Sequence, residues 1–200
     1  MSKVEKTIIV VVLAAMIIFA GRMLWGESYQ GFIEEPQQTM LASPIQTNIS
    51  GSDGDVRLTL LAQYIIEGVV KSKELYLLDY PSQISKYDLA LAWGDLNREG
   101  IDEHISYSQS GRWYCYRYSE DSPVNQNYIS NHSANVHLIH RDGEILRKIV
   151  LASGGSHVRI KGFLVNVHFD SGSWETSLSR SDTGNGACEI MYVTSFEILE

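Results

Sequence analysis

Residues 157–164 read His-Val-Arg-Ile-Lys-Gly-Phe-Leu. Val158, Ile160, Gly162 and Leu164 fall on one side of an extended chain, and His157, Arg159, Lys161 and Phe163 on the other. A period of two is the mark of a β-strand with one apolar face. Such a strand needs partners, and the flanking sequence supplies them. Residues 174–179 (Trp-Glu-Thr-Ser-Leu-Ser) predict another strand, and residues 187–199 predict one or two more. Residues 182–186 (Asp-Thr-Gly-Asn-Gly) are a turn-rich connection between them. The last ~45 residues therefore predict short antiparallel strands compatible with a small barrel.

Upstream, Asp142 is placed to cap a helix over 144–151, with Gly154 and Gly155 as its stop. Residues 113–118 alternate again: Trp113, Cys115 and Arg117 share one face, and Tyr114, Tyr116 and Tyr118 the other. Residues 56–70 are ambiguous. Leu58, Leu61, Ala62, Ile65, Ile66 and Val69 fit a helical stripe, whereas Tyr64-Ile-Ile and Gly68-Val-Val favour a strand. We expect a strand over 62–71. Ser85, followed three places later by Asp88, predicts a helix start, with a short helix over 89–93 that stops at Gly94. The expected fold class is α+β: mostly antiparallel β, a small barrel-like sheet with two short helices, and one N-terminal transmembrane helix.

The transmembrane expectation rests on residues 8–19, an unbroken apolar run. With its flanks the stretch reaches about 18 residues, or roughly 27 Å as a helix, enough for a bilayer core. Arg22 lies near its end, where a long stem can snorkel, and Trp25 falls at the interface. Lys3 and Lys6 keep the N-terminus in the cytoplasm. A small-x-small cleavage pattern is missing, because Ile18 and Phe19 occupy the places that need small residues. The expected organisation is a cytoplasmic N-terminus over 1–6, an uncleaved anchor over 7–25, a flexible tether over 26–55 and a domain over 56–200 outside the cytoplasm. The tether follows from Pro36, Pro44, Gly51, Gly54 and their polar neighbours.

The chain has 200 residues and a formal net charge of −8. It lacks the clustered Lys and Arg of a nucleic-acid binder. Trp93, Trp113, Tyr114, Tyr116 and Tyr118 have only Arg112 and Arg117 among them, so this aromatic run reads as packing rather than a base-stacking platform. Cys115 and Cys188 are compatible with one disulfide in an oxidising compartment, or with two buried thiols. His132, His137 and His140 form no HExxH or HxH, and His137 and His140 would point to opposite faces of a strand, so no metal or cofactor is expected. Ser133 or Cys188 with His137, oriented by Asp182, could form a nucleophilic set, but no GxSxG elbow is present. Glu189 beside Cys188 also opposes a thiolate. A polar binding patch is the better candidate: Asn135, His137, Arg180 and Asp182, with Trp174 to stack on a ring.

Five blocks resemble a family of bacterial proteins that carry an N-terminal membrane anchor and have no characterised activity. They start at Asp88 (DLALAWG), Ile105 (ISYSQSGRWY), Ser133 (SANVHLI), Val158 (VRIKGFLV) and Trp174 (WETSLSRSDTGNGACE). Together they cover about residues 62–194. The family pattern has proline where this chain has His140, which makes His140 peripheral. The resemblance implies a bacterial setting, with the domain outside the cytoplasmic membrane, and it transfers no activity, ligand or cofactor. The expected function is a non-catalytic, membrane-tethered envelope module that binds an envelope protein or a small polar ligand. The alternative is an envelope hydrolase using His137 with Ser133, Cys188 or a bound metal.

Overall fold

The computed structural model describes residues 28–179, 184 and 187–199. Nine strands form in chain order: β1 (Gln37–Gly51), β2 (Gly54–Leu75), β3 (Tyr87–Ala92), β4 (Ile105–Ser110), β5 (Trp113–Tyr118), β6 (Ser133–His140), β7 (His157–Phe169), β8 (Gly172–Trp174) and β9 (Glu189–Leu199). Two short helices accompany them, α1 (Gln126–Asn131) and α2 (Gly143–Leu151). The fold is thus α+β and mostly antiparallel. The anchor expected over 7–25 lies outside the described residues. Among the described residues no helix is long and apolar enough to cross a membrane.

The main sheet runs β1-β2-β3-β6-β9-β7-β8, and an additional β2–β7 pairing closes it. The closed ring is β2-β3-β6-β9-β7, antiparallel throughout except for β6 with β9. Numbered along the chain, its strands follow the order 1-2-3-5-4, with a helix between the third and fourth. That is the connectivity of an OB-type barrel. Strands β4 and β5 form a separate hairpin inserted between β3 and β6.

One strand makes closure possible. β2 has 22 residues and pairs with β1, β7 and β3 in succession. Its register against β7 shifts between Leu60 and Ala62. The extra residue turns the strand over, as bulges do. Val56, Leu58 and Leu60 therefore face an apolar cluster outside the ring, with Ile139, Val165 and Ile190. Ala62, Tyr64 and Ile66 face the barrel interior, with Leu89, Leu138, Leu164 and Phe196. The ambiguous stretch is a strand, and the bulge is why its apolar residues mimic a helical stripe.

Three expectations are corrected. Of the tether expected over 26–55, the described residues 28–55 are part of the domain, since Gln37–Gly51 form β1 and Ile33 is buried against the barrel. Residues 89–93 are not a helix. Leu89 and Leu91 point into the barrel core, and Ala92 packs outward under the hairpin with Leu96 and Ile129. Both faces are covered, so helix-favouring alanines serve here for their small size. Only Trp174 of residues 174–179 lies in a strand, and the rest is a connection held by side chains: Ile190 N–H donates to Thr176 Oγ1 at 2.9 Å.

α2 forms as expected. Asp142 accepts from the N–H groups of Glu144 and Ile145, both at 3.0 Å, and Ile145 and Ile149 pack onto the barrel core. Lys73 Nζ caps the other end through the carbonyls of Ile149, Val150 and Ala152 at 2.7–2.8 Å.

Gly162 is the tightest point of the ring. A Cβ there would lie 2.0 Å from the backbone oxygen of Tyr192 on β9. Gly162→Ala should lower unfolding free energy by about 3 kcal/mol, because backbone rather than a flexible side chain must move. Urea unfolding checks this, and an unchanged midpoint would contradict the closeness of β7 to β9.

Candidate functional site

The outer face of β3, β6 and β9 carries the chemistry. Alternation along β6 puts Val136 and Leu138 in the barrel and leaves Ser133, Asn135 and His137 on the other side. Asp88 of β3 stands directly opposite His137. The β4–β5 hairpin folds over this face and makes its roof.

Arg112 at the hairpin tip locks that roof down. Gly111 and Arg112 both have positive φ, 58° and 70°, as a two-residue hairpin loop requires. The left-handed conformation costs a non-glycine residue of order 1 kcal/mol, and the side chain makes up for it. Nε and Nη2 reach the Asp79 carboxylate at 2.6 and 3.1 Å. Nη1 reaches Asp88 Oδ1 at 2.7 Å, and Nη2 also donates to the Ser85 carbonyl at 2.6 Å. The guanidinium lies 3.9 Å over the Tyr76 ring and 5.7 Å from that of Trp174. Burial pushes the Tyr76 phenol up to about 12, so it stays neutral. Burial also pushes Asp79 upward, but the Arg112 hydrogen bonds and charge outweigh it and hold that carboxyl below its ordinary value.

Asp88 is wholly buried. Its second oxygen lies 2.7 Å from His137 Nδ1. The geometry of an aligned hydrogen bond is not met between them. The His137 ring packs at 4.6 Å from Trp174 with a 50° tilt.

Two adjoining hollows of about 370 and 330 Å³ open on this face and share Trp113 and Cys188 in their lining. Together they form one groove. Trp113, Tyr114 and Tyr116 wall one side. Ser133, Asn135 and His137 line the floor, and Glu175 and Glu189 add acidic groups. Asn135 accepts from Gln109 Nε2 at 2.6 Å and places its own amide 3.8 Å from Cys188 Sγ. Burial pushes the Tyr114 phenol well above its ordinary value, and it hydrogen-bonds Ser133 Oγ. A wider hollow of about 610 Å³ near Asn48, Arg57 and His168 is shallower and lined mostly by polar side chains.

Of the residues singled out in the sequence, Asn135, His137 and Trp174 converge on this groove. Arg180 and Asp182 lie outside the described residues. Cys115 and Cys188 form no bridge: Cys115 is exposed on the far side of the hairpin, and Cys188 is half-buried in the groove. Ser133 is not within reach of His137. Four steps along the strand separate them by about 13 Å, and Ser133 Oγ donates to the Ile129 carbonyl at 2.6 Å. The three histidines do not converge either. His132 stacks on Tyr128 at 3.9 Å and His140 ends β6, and no metal-binding cluster occurs among the described residues. His140 does not line the groove; it is half-buried, and burial and nearby Lys86 lower its pKa.

Sequence reasoning passed over Arg112, Asp88 and Asp79. Ser-Gly before Arg112 was a legible turn signal, but nothing local shows where the guanidinium goes.

Two outcomes follow. Arg112→Ala should cost about 3 kcal/mol in urea unfolding, because it leaves the Asp88 charge buried. Adding Asp88→Asn should recover part of that loss. The Asp79 carboxyl is depressed in the folded state, so its contribution is complete above the unfolded value near 4 and fades as pH falls below it. Between pH 7 and pH 3 the native chain should therefore lose more stability than Asp79→Asn, and equal losses would remove Asp79 from the clamp. Comparison of the chain with family models, curated proteins and solved structures finds no match.

Proposed function

We propose that this chain is a non-catalytic binding module, tethered by residues 7–25 to the bacterial cytoplasmic membrane with its domain outside the cytoplasm. Its groove takes a small, polar, uncharged ligand with a ring face. The observation that carries this reading is the groove itself, with an aromatic wall of Trp113, Tyr114 and Tyr116 facing an amide and hydroxyl floor at Asn135 and Ser133. Its one well-placed cation, Arg112, already spends its guanidinium on Asp79, Asp88 and Ser85. Among the described residues that line the groove, phosphates and carboxylates therefore find no guanidinium or ammonium left free, whereas a neutral ring finds aromatic faces to stack on beside amide and hydroxyl groups. The location agrees with where barrels of this connectivity bind ligands, on the outer face and the adjoining loops.

Tryptophan fluorescence of the detergent-solubilised full-length protein tests the reading, titrated with neutral oligosaccharides and, in parallel, with nucleotides. Saturable binding to the neutral ligands should weaken about tenfold on Trp113→Ala and on Asn135→Ala, roughly 1.4 kcal/mol each. Saturation only with the charged ligands, or with neither, would end it.

The Asp88–His137 pair supports a second reading, an envelope hydrolase. A carboxylate oxygen 2.7 Å from a histidine ring nitrogen in a cleft puts two members of a nucleophilic triad side by side. With Ser133 out of reach, the nucleophile would be Cys188, which lines the same groove. In a Cys115→Ser background at pH 7, iodoacetamide should then alkylate Cys188 at least about tenfold faster than in the same protein carrying His137→Ala. Equal rates would leave the histidine as a packing residue.

A further inference from the structure

The hollow of about 610 Å³ near Arg57 continues the barrel's own interior face. Along β7, Leu164 points into the barrel, and Asn166 and His168 follow it on the same side at a period of two. Val165 and Val167 turn the other way, into the apolar cluster outside the ring. β2 matches this because of its bulge between Leu60 and Ala62. Thr59 and Arg57 therefore stand on the concave side, directly opposite Asn166 and His168. Past the end of the ring, the concave face changes from apolar to polar.

One row of this face crosses the sheet. Asn48 of β1, Arg57 of β2 and His168 of β7 are paired side by side, and all three line the hollow. Thr59 Oγ1 lies 2.8 Å from His168 Nε2, which fixes the ring and leaves Nδ1 without a partner among the described residues. Arg57 is exposed and, among the described residues, makes no ion pair or hydrogen bond. Its guanidinium is free, whereas that of Arg112 in the groove is fully engaged. The acids stand in the next row. Asp55 is two places from Arg57 on the same face of β2, about 7 Å along the strand. Its Oδ1 accepts from Ser50 Oγ at 3.0 Å, which holds the carboxylate over that row. Asp170 follows His168 by two places and lines the same hollow. A solvated sheet face is ordinarily polar. Here a basic row and an acidic row share one concavity, and Arg57 is paired with neither acid. A lone anion on Arg57 meets the field of both carboxylates, and a lone cation on the carboxylates meets the guanidinium. A ligand with one charge of each sign satisfies both rows.

We propose that this hollow is a second ligand site, which binds a small zwitterion with its oxyanion, a carboxylate or a phosphate, on Arg57 and its ammonium on Asp55 and Asp170. The guanidinium fork takes two oxygens of the anion in parallel hydrogen bonds, and the Asn48 amide offers a further donor in the same row. The spacing of the rows sets the length of the ligand. An extended γ-amino acid separates its two charges by about 5–6 Å, close to the row spacing, whereas an α-amino acid is too short to reach both. The site shares no lining residue with the aromatic groove, so it holds or fails independently of the function proposed for that groove.

Saturation-transfer NMR on the full-length protein in an uncharged polyoxyethylene detergent tests it. The probes are 4-aminobutyrate and O-phosphoethanolamine, with butyrate, butylamine and glycine as controls that lack one charge or the spacing. At least one of the two zwitterions should saturate with a Kd of about 1 mM or below, at least about tenfold tighter than every control. The tighter of the two names the oxyanion. Arg57→Ala, confirmed as folded by circular dichroism, should weaken that binding about tenfold or more, and Arg57→Lys should weaken it less because the charge remains. Asp170→Asn should weaken the zwitterion while leaving butyrate unchanged. Equal binding of butyrate would reduce the hollow to a plain anion site and overturn the proposal. Saturation by none of the probes, or zwitterion binding unchanged in a folded Arg57→Ala protein, would overturn it as well.

Discussion

Asp88 has no access to water, and the architecture around the groove follows from how its charge is met. A buried carboxylate needs both a counter-charge and hydrogen bonds, or folding stalls on its desolvation. Arg112 supplies these from a hairpin inserted between β3 and β6. It can do so only because the loop takes left-handed geometry and Tyr76, Asp79 and Ser85 surround the guanidinium on its other sides. The hairpin is thereby fixed over the barrel face, and its aromatic side chains become a wall. The groove is thus a by-product of burying one charge properly, and its shape is as rigid as that clamp.

The barrel beneath depends on β2. A straight strand of 22 residues would run far beyond any small ring; the register shifts at Leu60/Ala62 and Val70/Ser72 let it wrap around one. The first half of β2 contributes to the cluster outside the ring and the second half to the interior. One continuous element thus gives both the barrel and the packing surface for Ile139 and Ile190, next to His137 and Cys188 on the groove face.

Much of this was legible from local pattern. The alternation over 157–164, the strand over 113–118 and the Asp142 cap are signals carried by side chains only a few residues apart, and each names its element correctly. Failures came where tertiary contact decides. Ser85 and Asp88 match a helix start in sequence, but both are bound by Arg112 from 24 to 27 residues away. Residues 37–51 are polar because β1 is an outer strand that, among the described residues, pairs with β2 alone, and an outer strand needs few apolar residues. Asn135, His137 and Trp174 were found as candidates because their chemistry is visible in isolation. Arg112 and Asp88 were passed over because what matters in them is the pairing, which sequence does not display.

The turn after β2 bears directly on the groove. Leu77 and Leu78 lie between Tyr76 and Asp79, the two residues on that turn that hold Arg112. Whatever immobilises those leucines also immobilises both partners of the guanidinium, and through it the hairpin that walls the groove. A turn that is free in water can exchange conformers at little cost, and each departure of Asp79 weakens the clamp. Within the fold the turn is held by Tyr80, whose ring packs on Phe169 at 5.0 Å, and by Ser82, whose hydroxyl donates to the Asp79 carbonyl at 2.6 Å, so the wall of the groove takes its rigidity from the far end of β7.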